Sequence, residues 1–141
     1  MEDAIKTFVM YLQVERNASP ETIRNYRSDL QQLRRFLRRT DPTRAQVDKI
    51  TSDDVRAYLH SLDQQGDKAS SLARKLACLR SFFRFLVREG IVPTNPAEIL
   101  RSPKLPKPLP RVLTKSDAAA LMELPAGQSP LPLRDRALLE T

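Results

Sequence analysis

Residues 70–87, SSLARKLACLRSFFRFLV, decide how the rest of the chain is read. Leu72, Leu76, Leu79, Phe83 and Leu86 recur at steps of four, three, four and three residues, which fits one side of an α-helix and fits no strand. Arg74, Ala77, Cys78, Ser81 and Arg88 fall opposite that stripe, with Lys75, Arg80 and Arg84 on its flanks. One side of this helix is therefore core, and the other is basic and built from small side chains. A backbone that can approach a polyanion closely, with arginines beside it, is what a helix in the DNA major groove requires.

Working outward, the flanking segments read as further amphipathic helices. Glu89-Gly90 stops the first, and Ser70 or Ser71 caps its start. Upstream, Thr51 with Asp54 three residues on forms a capping box for a helix carrying Val55, Tyr58, Leu59 and Leu62, ended by Gln65-Gly66. Before it, Ser19 as N-cap and Pro20 at the first helical position open a helix to Arg39 with Ile23, Tyr26, Leu30, Leu33 and Leu37 inward. A first helix spans Asp3–Glu15 with Ile5, Phe8, Val9 and Leu12 on one side. Downstream, Asn95-Pro96 starts a short helix through Leu100.

Four such helices on short loops close as a bundle, so residues 1–100 are expected to be one all-α domain. Residues 101–112 are a basic, proline-rich linker, since SPKLPKPLPRVL suits neither helix nor central strand. Residues 113–141 open a second domain with a Thr114–Asp117 capping box, and the pattern breaks off on Leu138-Leu139, as in a truncated domain.

Charge is distributed unevenly along the chain. Residues 68–115 hold eleven Lys/Arg against two Asp/Glu, while residues 41–67 hold three against six. The net charge of +7 thus concentrates in the opening helix and the segment after it, which points to a polyanionic partner. A lone cysteine, Cys78, excludes a disulfide framework and suits a reducing cytoplasm. The N-terminus lacks a signal-peptide pattern, and no apolar run approaches membrane-spanning length. No metal-ligand or cofactor motif is present, so no cofactor, membrane or small-molecule substrate is expected.

The order of motifs resembles the core-binding domain of the tyrosine recombinases, Xer-type members above all. Phe8, Tyr11-Leu12, Ser19, Thr22, Tyr26 and Asp29-Leu30 are similar to its opening. Ala73-Arg74-Lys75-Leu76, Leu79-Arg80 and Phe82-Phe83 are similar to its fourth helix, and Asn95-Pro96-Ala97 with Pro103-Lys104 to its exit. Arg134–Glu140 resembles the first long helix of the family's catalytic domain. The resemblance implies a SAM-like orthogonal four-helix bundle, with double-stranded DNA and other recombinase protomers of a synaptic tetramer as partners. It also implies that the catalytic arginines, lysine, histidines and tyrosine lie beyond Thr141, so this stretch alone is not an enzyme and carries no catalytic residue.

The family's second and fourth helices cross near the major groove. That assigns DNA contacts to Thr22, Arg24, Asn25, Arg27 and Ser28, and to Ser70, Ser71, Arg74 and Lys75. Lys104 and Lys107 are assigned to phosphates along the linker. Arg74 is the candidate for a base-edge contact, because arginine on guanine is the commonest specific pairing. The longer protein would serve chromosome-dimer resolution or DNA integration. Two other readings compete: a helix-turn-helix transcription regulator, whose turn here is too long at Asp63–Ala69, and a basic protein-interaction bundle.

Overall fold

A computed structural model describes residues 1–41, 46–104, 114–123 and 130–139. Every regular element among them is helical: α1 (Glu2–Val14), α2 (Pro20–Thr40), a 3-10 turn (Val47–Lys49), α3 (Ser52–Gln64), α4 (Ala69–Arg88), α5 (Lys115–Glu123) and α6 (Pro130–Leu139). The chain divides into two compact units, Met1–Leu105 and Pro106–Thr141. Among the described residues no helix is long and apolar enough to cross a membrane.

The helix starts follow from local side-chain chemistry. Ser19 Oγ accepts the Thr22 backbone N–H at 3.2 Å, and Pro20 follows at the first helical position of α2. The Thr51–Asp54 box closes in both directions: Asp54 N–H donates to Thr51 Oγ1 at 3.3 Å, and Thr51 N–H to Asp54 Oδ2 at 2.9 Å. Thr51→Ala removes the side-chain half of that box and is expected to lower stability by about 1 kcal/mol, measured by urea denaturation. Gly66, just past α3, has φ +85°, the left-handed conformation that glycine adopts without strain. In the second unit, Thr114 Oγ1 accepts the Asp117 N–H at 3.1 Å to open α5, and the returned bonds hold the exposed Asp117 carboxyl below its usual pKa.

Helix α4 is the centre of the first unit and packs against α1, α2 and α3. Its buried residues extend well beyond the leucine stripe to Cys78, Phe82 and Phe85. Cys78, on the small-residue side opposite the stripe, is thus covered by a neighbouring helix. The Cys78 thiol lies 3.6 Å from the Tyr26 carbonyl, so its small size admits close approach of α2. Burial pushes that thiol's pKa up, which leaves it inert rather than nucleophilic. Phe85, which lies off the leucine stripe, stacks on Tyr11 of α1 with ring centroids 4.9 Å apart. Phe8 meets Phe82 edge-on at 5.4 Å and Phe85 at 5.5 Å, which makes α1 an integral wall of the core.

Two further expectations change. The N-cap of α4 is Lys68, with no side-chain cap, so Ser70 and Ser71 lie inside the first turn rather than capping it. Residues 95–100 form turns, not a helix. Arg80 holds these turns: its Nε donates to the Ala97 carbonyl at 3.2 Å, its Nη2 to the Leu100 carbonyl, and its Nη1 to Ser102 Oγ at 3.0 Å. The guanidinium thus satisfies carbonyls of this segment, and Ala97 and Leu100 turn into the core. Asn95 Nδ2 closes the strap by donating to the Arg80 carbonyl at 3.2 Å. Arg80, on the flank of the leucine stripe, fixes the departure of the chain from the bundle.

Candidate nucleic-acid interface

The basic side of α4 meets α2 at a buried carboxylate. Asp29 is only 3% exposed, yet it sits on an amphipathic helix among leucines. A charge withdrawn from water to that extent needs compensation in place. Arg74 Nη1 pairs with Asp29 Oδ2, and Lys75 Nζ lies 3.2 Å from Asp29 Oδ1. Lys75 Nζ also donates to Gln32 Oε1, which accepts in addition the Tyr58 hydroxyl at 3.3 Å. The network joins α2, α3 and α4, and no buried side-chain nitrogen or oxygen among the described residues lacks a partner. Burial first, then the Asp29 charge, raises the Tyr58 pKa, so its phenol stays protonated.

The predicted contact residues separate into three groups. Lys75 departs from the expectation of a surface contact: it is 7% exposed and its ammonium is spent on Asp29 and Gln32. Arg74 differs from its neighbour, because its side chain remains 40% exposed while one nitrogen is held by Asp29. Ser70 lies four residues before Arg74 and shares its face of α4, and Ser71 is half-buried beside it. On α2, Thr22 and Asn25 fall on the same side as Asp29, seven and four residues from it. The Thr22 hydroxyl lies 2.9 Å from Ser19 Oγ, and the Asn25 amide donates to Glu21 Oε1 at 3.0 Å.

Arg24 and Arg27 form the second group, on the far side of α2 from Asp29. With Ser28 and Gln31 they line a shallow depression against Gln13 of α1, and Arg24 pairs with Glu21. Linker residues make up the third group: Lys104 is exposed, and Lys107 lies outside the described residues. Of the other arginines, Arg84 is exposed, whereas Arg88 lies 4.3 Å over the Tyr11 ring and pairs with Glu89.

Sequence reasoning missed Asp29 and Gln32 as members of this face. The available signal was a carboxylate one position from the inward row of α2 and a lysine one position from the inward row of α4, opposite charges that a bundle brings together. Among the described residues no three His, Cys, Asp or Glu side chains gather closely enough to hold a metal ion.

A family model described as "Phage integrase, N-terminal SAM-like domain" matches residues 5–90, from the first turn of α1 to the end of α4. The chain belongs to this family. Its curated relatives include proteins named Tyrosine recombinase XerC. The one from Oceanobacillus iheyensis is 44% identical over 140 residues, covering 99% of this chain and 45% of the relative. Another, from Pelotomaculum thermopropionicum, is 43% identical over 143 residues, covering 97% and 46%. A third, from Myxococcus xanthus, is 38% identical over 136 residues, covering 96% and 44%. The chain spans about half the length of these relatives. No solved structure matches it. The all-helical architecture agrees with the SAM-like domain, and each helix of the first unit falls wholly or largely inside the matched span.

Proposed function

We propose that residues 1–100 grip duplex DNA for a site-specific tyrosine recombinase. In this reading residues 101–112 lead along the phosphates, and residues 113–141 open the catalytic domain. The observation that carries it is Arg74: a half-exposed guanidinium held at one nitrogen by a buried carboxylate, on a family-matched helix whose first turn has no side-chain cap. A helix N-terminus presents unpaired N–H groups and a positive dipole to phosphate, and Ser70 and Ser71 place hydroxyls there. Thr22 and Asn25 border the same face from α2, while Arg24, Arg27 and Ser28 extend it from beyond. Lys75 has no part in direct contact.

The chemistry of such a protein is transfer of a phosphodiester to a tyrosine, and none of the bundle residues assigned above performs it. The bundle's task is to hold the duplex in register for strand exchange, in chromosome-dimer resolution or DNA integration, with further recombinase protomers in a synaptic complex. Amide chemical-shift mapping with duplex DNA tests the face: the largest changes are expected at Ser70, Ser71, Arg74 and Asn25. Changes confined to α3, or none at all, would contradict it. Lys104→Ala is expected to weaken binding evenly across sequences and to reduce the slope of log K against log salt by about 0.9, the share of one phosphate contact. Anisotropy titrations over a salt series read that slope.

A further inference from the structure

We propose that Asp29 is the positioning residue for Arg74, with Lys75 as the counter-charge that keeps their contact to a single tooth. The inference rests on the reading of Arg74 as a base contact. Free arginine on a helix surface explores many rotamers, and ordering it on DNA has an entropic cost. Here a carboxylate at 3% exposure receives Arg74 through Nη1 alone. Arginine and carboxylate ordinarily pair through two parallel N–H···O bonds. Here Lys75 sits on Asp29 Oδ1, with its ammonium fixed by Gln32, and Arg74 pairs with Oδ2 alone. Among the described residues Arg74 makes no other hydrogen bond, so the remainder of its fork is oriented and unspent. Lys75 neutralises the carboxylate from the buried side, and Arg74 therefore keeps its positive charge toward solvent. Asp29 and Lys75 act on the DNA without touching it, which explains why a lysine on a basic helix is buried.

The test uses the 141-residue chain and a pool of DNA duplexes with a randomised centre. The wild type is expected to enrich a preferred sequence, which then serves beside a scrambled duplex in anisotropy titrations. Failure of the wild type to bind at low salt overturns the DNA reading itself. Binding without enrichment overturns the base contact and this inference with it. If a sequence is enriched, Asp29→Asn should reduce the preferred-to-scrambled affinity ratio about tenfold, as Arg74→Ala does. In the Arg74→Ala background the same change should have no further effect, because the two residues act as one unit. An undiminished ratio in Asp29→Asn, or an equal loss in both backgrounds, overturns the inference.

Should Asp29→Asn fail to fold by circular dichroism, the Asp29→Leu/Lys75→Met pair replaces the buried ions with apolar groups of similar volume and carries the same expectation. Lys75→Met alone separates the two roles open to that lysine. It should lower the affinity ratio and leave the salt slope unchanged. A slope reduced by about 0.9 would make Lys75 a phosphate contact and overturn its role as counter-charge.

Discussion

Phe8→Ala is expected to destabilise the first unit by about 3–5 kcal/mol, at the upper end of what a single truncation in a core costs. Phe8 is fully buried, and its ring meets Phe82, Phe85, Tyr11 and Tyr26 within 6.5 Å between centroids. Removing it opens a cavity where α1, α2 and α4 join. Rigid aromatic neighbours cannot collapse to fill that space, so the loss includes a cavity contribution as well as the lost transfer energy. At about 4–8 °C per kcal/mol for a unit of this size, the melting temperature should fall by more than about 12 °C. Calorimetry on the variant reads this directly. A fall of only a few degrees would show that α1 is an accessory to the core rather than one of its walls.

Arg74→Ala is expected to lower affinity for a preferred duplex by about 1–3 kcal/mol, or roughly 5- to 150-fold, while binding to scrambled duplex changes little. Its effect on stability should be small. The side chain is 40% exposed, which screens its pairing with Asp29, and Lys75 remains to compensate the carboxylate. Loss of binding with retained stability separates a contact residue from a packing residue. Anisotropy against both duplexes, with a melting curve on the same sample, makes the comparison. An equal loss on every sequence would reassign Arg74 to phosphate.

Most of the bundle was legible because its signals are local. The Ser19-Pro20 start and the Thr51–Asp54 box are short-range chemistry, and the leucine stripes of α2 and α4 report a period that only a helix supports. What escaped depended on partners distant in the chain. Cys78 and Phe85 are buried because α2 and α1 cover them, and periodicity along α4 alone cannot say how many sides of it are covered. Residues 95–100 carry a helix-start signature, yet they form turns tied to Arg80, at least 15 positions upstream. Lys75 looked like its neighbour Arg74. Both reach Asp29, but a rotation of about 100° around α4 leaves the Arg74 side chain 40% exposed and buries that of Lys75.

Whether the face shared by α2 and α4 holds duplex DNA is tested most directly by the salt dependence of binding. Titration of the chain into labelled duplex over a series of salt concentrations should give measurable affinity at low salt. Log K should then fall linearly with log salt, with a slope of several units that Arg74→Ala leaves nearly unchanged and Lys104→Ala reduces by about 0.9. No binding at low salt, or an affinity indifferent to salt, would contradict a DNA-holding role for this face.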